Sequence, residues 1–127
     1  MTEQSTPSVK SVRRDMNHEV VYLSGKITDG DRTTPESIQA NKDKFVKKAG
    51  ELSSEGKVVF IPGENFGRVG QENNWTWKQY MRPCITIMKK CDTVYMLEKW
   101  EESRGARIEH FLAKRKGMNV VYERKRT

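Results

Sequence analysis

The sequence predicts an α/β fold: a doubly wound parallel sheet of about four strands in the order 2-1-3-4, with helices on both faces. Three observations carry this expectation. Short runs rich in β-branched and aromatic residues recur along the chain, each too brief to be a helix. Between them lie longer stretches with apolar residues at helical spacing, bounded by capping residues and glycines. The resulting alternation of strand and helix calls for right-handed crossovers, and these place strands 1 and 3 side by side at the centre.

Taken in order, residues 1–17 are rich in Ser, Thr, Lys and Arg without apolar periodicity and are expected to form a flexible arm. The folded domain is expected over 18–123, with a basic tail at 124–127. Glu19–Ser24 reads as the first strand, and Gly25–Gly30 as the loop that leaves it. Thr34 and Pro35 supply a cap and a first helical residue. Ile38, Phe45, Val46, Ala49 and Leu52 then mark one helical face that Gly56 ends. Lys57–Ile61 is a second strand, apolar enough to be buried on both sides.

Pro62–Asn74 reads as a long loop whose Gly63, Gly67 and Gly70 would let backbone approach a ligand. Its glycine spacing lacks the Gly-Lys-Ser/Thr ending of a phosphate loop. Trp75–Lys90 has a helical pattern with Trp77, Met81, Cys84, Ile85 and Met88 on one side, kinked or restarted at Pro83. Thr93–Leu97 is the third strand, Ser103–Gly117 frames a third helix, and Asn119–Tyr122 is the fourth strand.

In that third helix Gly105, Ile108, Glu109 and Leu112 share one face, at i, i+3, i+4 and i+7. A carboxylate on an apolar stripe costs desolvation free energy unless something compensates it. Glu109 has no basic neighbour three or four positions away, and Ala106 stands where a capping-box partner of Ser103 would be. A salt bridge to another element remains one reading of Glu109. Its place in the second turn, beside the C-terminal end of strand 3, is the other: open α/β sheets bind ligands there.

Composition narrows the choice of partner. The 127 residues suffice for one domain, and the net charge of +7 favours an anionic ligand such as a nucleotide or a nucleic acid. No apolar run has the length of a membrane span, so no membrane partner is expected. Cys84 and Cys91 are too few for a disulfide framework or a zinc site. The expectation is therefore a cytoplasmic protein without metal or cofactor.

Two blocks resemble the nucleoside 2-deoxyribosyltransferase superfamily, close to its branch of small nucleotide N-hydrolases and their often phage-encoded relatives. The first is Tyr22-Leu23-Ser24-Gly25-Lys26-Ile27, similar to the family's aromatic-x-x-Gly-x-Ile signature. The second runs from Cys91-Asp92 through Trp100-Glu101, Ser103, Gly105-Ala106 and Glu109 to Ala113.

This resemblance implies a Rossmann-like fold and cleavage of the N-glycosidic bond of a (deoxy)nucleoside 5′-monophosphate, by hydrolysis or base transfer. Glu109 would be the nucleophile, and Tyr22 the hydroxyl that orients it; Tyr22 reads equally well as a core strand tyrosine. Ser24, Gly25, Lys26, Ile27, Ser103, Arg104 and Gly105 would hold the sugar phosphate, although Ser103 is also a natural helix cap. Trp77, Tyr80 and Trp100 would stack on the base. The family also implies a homo-oligomer, in the simplest case a dimer.

The chain departs from the pattern at Cys84, where the characterised hydrolases carry an acid, and it stops soon after strand 4. Two other readings stand beside catalysis. One is a nucleotide-binding protein that does not turn its ligand over. The other is a nucleic-acid or protein binder that uses the Lys/Arg-rich arm and tail.

Overall fold

The computed structural model describes residues 18–62 and 69–124. The expected arm, most of the basic tail, and Gly63 and Gly67 of the expected loop lie outside the described residues. Four strands, β1 (Val20–Ser24), β2 (Val58–Phe60), β3 (Thr93–Met96) and β4 (Asn119–Tyr122), form one sheet in the order β2-β1-β3-β4. Every pairing is parallel. The fold is the expected open α/β sheet, with β1 and β3 central.

Three longer helices cover it: α1 (Pro35–Ser54), α2 (Trp77–Met88) and α3 (Arg104–Lys116). The Thr34 hydroxyl accepts from the Ser37 amide, and the Ser37 hydroxyl accepts from the Thr34 amide, a reciprocal cap that starts α1. At the other end of the chain Gly117, at φ +79°, stops α3. Its amide and that of Met118 bond back to Lys114 and Ala113 in a Schellman turn.

Alternation along the strands sorts the core into two layers. Val20, Tyr22, Val94 and Met96 face α2 and α3, where they meet Cys84, Met88, Ala106 and Ala113. Val21, Leu23 and Leu97 face α1 and meet Phe45 and Leu52. All five β1 residues are buried, as a central strand covered on both faces requires.

Three local expectations are corrected. Val46 is 53% exposed, and Asn41 takes a place on the buried stripe of α1 instead. The chain is helical at residues 69–72, inside the stretch that reads as loop. Finally, α2 does not restart at Pro83; one helix runs through it, giving up the bond that the missing N–H would have made.

Candidate active site

Glu109 projects from α3 onto the sheet and is 6% exposed. The Tyr22 hydroxyl donates to its Oε2 at 2.5 Å, and the Ser24 hydroxyl donates to its Oε1 at 2.7 Å. Because Tyr22 and Ser24 are two apart on β1, both point to the same side of the sheet, and the carboxylate bridges them. Among the described residues no Lys or Arg pairs with Glu109, so the salt-bridge reading fails there.

Burial raises the Glu109 pKa above the ordinary carboxylate value, while the hydrogen bonds from Ser24 and Tyr22 oppose the rise. Tyr22 is raised as well, first by burial and then by the adjacent charge of Glu109, so it stays a proton donor. Cys84, from α2, completes the group. Burial, helped by Glu109, pushes its thiol up to about 11, against the lowering effect of Tyr22. Cys84 therefore does stand beside the carboxylate, as a neutral thiol.

The loop after β1 closes one side of this site. Gly25 lies so near Leu97 that an added Cβ would come 3.0 Å from the Leu97 Cβ and 3.3 Å from the Phe45 ring. The Ile27 carbonyl accepts from Asn41, whose amide also reaches the Asp29 carboxylate at 3.1 Å. Lys26 Nζ sits between Asp29 at 2.7 Å and Glu102 at 2.6 Å. Those hydrogen bonds, to Asp29 and then Glu102, raise the Lys26 pKa. The ammonium thus ties the loop after β1 to the 3-10 turn Trp100–Glu102 that follows β3, instead of standing open to an anion.

The other expected binding residues are dispersed. Ser103 caps α3, its hydroxyl accepting from the Ala106 amide at 3.1 Å. Gly105 makes room for Met81, whose sulfur would lie 3.1 Å from an added Cβ. Arg104 holds its guanidinium 4.0 Å above the Trp77 ring, and Trp77 is 37% exposed rather than part of the core. Tyr80 meets Trp75 edge-on and packs over the Gly70 backbone. Trp100 stacks on His110 with ring centroids 4.3 Å apart, and His110 Nε2 lies 2.6 Å from the Tyr122 hydroxyl. Burial lowers the His110 pKa, and Lys114 adds to the effect.

Asn41 is the site residue that sequence reasoning missed. It gave the same signal as Glu109, a polar side chain on an apolar stripe, with Ile38 three positions before it and Phe45 four after. Asp92, acidic and near in sequence, accepts from the Val20 amide at the N-terminal end of the sheet and serves the fold there.

Among the described residues no group of three or more His, Cys, Asp and Glu side chains could hold a metal ion. No described helix is long and apolar enough to cross a membrane. No curated protein and no solved structure matches the chain. A family model does, over residues 19–122, a span that runs from the residue before β1 to the end of β4. The chain belongs to that family, the domain of unknown function DUF4406.

Proposed function

We propose that Glu109 is a carboxylate nucleophile that cleaves the N-glycosidic bond of a (deoxy)nucleoside 5′-monophosphate. One observation supports this above the rest: a buried carboxylate held by two hydroxyls and by no cation among the described residues. A charge kept at that cost for stability alone would call for a cationic partner. Two neutral donors orient the carboxylate and leave its charge unneutralised, as a nucleophile requires.

In the proposed reaction a Glu109 oxygen attacks the anomeric carbon. The carbon–nitrogen bond breaks, its electron pair leaves with the base, and the base takes a proton from solvent water, which the hydrolytic step later returns. Water then hydrolyses the glycosyl ester and regenerates the carboxylate. Tyr22 and Ser24 orient the carboxylate throughout. The Ser103-capped end of α3 favours a phosphate over a bare 5′-hydroxyl. The dimer implied by the resemblance is part of this proposal, and sedimentation velocity tests it.

Cys84 favours a second reading, nucleotide binding without turnover. A thiol at about 11 is a poor donor to a departing base. The deciding experiment incubates the protein with a panel of nucleoside monophosphates and follows free base by chromatography, beside a calorimetric titration of the same compounds. Base release that disappears in Glu109→Gln supports catalysis. Binding without base release supports the second reading, and neither signal across the panel rejects both.

A further inference from the structure

We propose that the outer face of α2 and α3 binds single-stranded nucleic acid, independently of Glu109. The charge of this face is one-sided. Residues 77–88 contain Lys78 and Arg82 and no acid, while the only acid of α3 is the buried Glu109. By contrast, three lysines beyond this face, Lys26, Lys48 and Lys57, each sit on carboxylates. Among the described residues Lys78, Arg82 and Arg104 have no such partner.

The shape fits the same ligand. Lys78 and Arg82, one helical turn apart, form the ridge between two grooves. A groove of about 580 Å³ has Trp75 and Pro83 on its wall. A second, of about 360 Å³, runs toward α3 past Trp77, Met81 and Ile108. Each groove thus joins an indole to the same two cations. Arg104 extends the second by lying over the Trp77 ring.

Cations that track a phosphate backbone, alternating with aromatic rings that take base faces, describe a single-strand platform. A duplex hides its base faces and would leave both indoles unused. A second copy of this chain would set like charge against like charge. An acidic protein would satisfy the cations without needing the two indoles.

The test is fluorescence anisotropy of the full chain with a labelled oligothymidylate of about 20 nucleotides, long enough to span a typical single-strand site. Binding should weaken as salt rises, with a log–log slope of about −2 if Lys78, Arg82 and Arg104 each neutralise one phosphate. K78E/R82E should weaken binding at least about tenfold and cut that slope by more than half. K42E/K44E, the same change of net charge on exposed lysines of α1, should change it less than about threefold. Trp77→Phe should reduce the quenching of tryptophan emission by the oligomer.

Equal loss in the two double variants would overturn the proposal, because the attraction would then belong to net charge alone. Tighter binding of a duplex of the same sequence would also overturn it. So would equal competition by a polyglutamate of matching charge, which would assign the face to an acidic protein. A circular dichroism spectrum matching the parent checks that each variant is folded.

Discussion

The Tyr22 hydroxyl donates to Glu109 Oε2 across 87 residues of chain, joining the central strand to the helix that covers it. Neither residue is buried for apolar reasons alone. The tyrosine ring fills the core against Phe60, with centroids 6.0 Å apart, while its hydroxyl is committed to the carboxylate. A raised carboxylate and a raised phenol share a short hydrogen bond in which the phenol keeps the proton. This pairing gives the first two predictions.

Glu109→Gln should abolish turnover while raising stability at neutral pH by about 1 kcal/mol, because it removes a buried charge and keeps the packing. The sign follows from linkage. With its folded pKa raised above the ordinary 4.5, Glu109 stabilises most fully below that value and loses the contribution as pH rises through the folded pKa. Urea unfolding between pH 4 and pH 8 should therefore show a fall in the parent that is absent from the Gln variant. A Gln variant that unfolds, or that still releases base, would reject the role.

Tyr22→Phe should remove a donor that favours the ionised carboxylate and raise the Glu109 pKa further. The acid limb of the pH–rate profile should move to higher pH, and turnover near neutrality should fall about tenfold to a hundredfold. Stability should drop by about 1 kcal/mol, one buried hydrogen bond. An unmoved acid limb in a folded Phe variant would leave Tyr22 as a core ring only.

Cys84→Asp tests whether an acid at this position speeds the proposed reaction. Beside Glu109, the new carboxyl would hold its proton because two buried like charges repel. It should increase base release at least about tenfold while lowering stability by about 2 kcal/mol. Fast turnover by the parent, unchanged by substitutions at Cys84, would show that another group protonates the base.

Ser103→Asp keeps the cap of α3 but adds negative charge where the phosphate is proposed to sit. The parent should bind a nucleoside monophosphate about tenfold or more tightly than the nucleoside, and the variant should lose most of that preference. Equal affinity for both ligands in the parent would leave Ser103 as a cap alone.

The strands β1, β2 and β3 could be read from the sequence as short, nearly continuous apolar runs, and the order of the sheet from the handedness of the crossovers. Of the three, β2 alone departs, since at the edge of the sheet its three residues are half-buried and not covered on both sides. Glu109 could be read because a carboxylate interrupts a stripe that should be apolar. Its partners were less accessible: Tyr22 and Ser24 meet it only after β1 and α3 are brought face to face, and the family resemblance, not periodicity, pointed to Tyr22. The clamp at Lys26 was hidden for a similar reason, since Glu102 lies 76 residues away. Trp77 shares the apolar side of α2 yet is exposed, because helical spacing fixes a face but not what covers it, and this ring meets Arg104 and solvent. Val46 failed for the opposite reason: adjacent to Phe45, it lies a full 100° around the helix from it.

Gly25→Ala should cost about 1–3 kcal/mol without touching any charged group. The new methyl would press on the Leu97 Cβ at 3.0 Å, and neither partner is the flexible end of a long side chain. Gly105→Ala comes close only to the movable Met81 thioether, with the Ser103 hydroxyl at an ordinary 3.9 Å, and gains helix propensity, so its melting temperature should stay within a few degrees of the parent. Thermal unfolding of both variants separates backbone crowding from site chemistry.

The position of β1 also affects how the chain is made. Val20 and Val21 leave the ribosome before Val58, and well before Thr93, yet these are the residues beside which they must lie. During synthesis the strand buried along its whole length waits without either neighbour, and β3 can join it only after α2 has emerged. Such an order exposes a sticky segment for much of translation, the interval in which chaperones act. Slow elongation through α2 would lengthen that wait, so the yield of folded protein should depend on codon choice there more than in the stretch encoding β4.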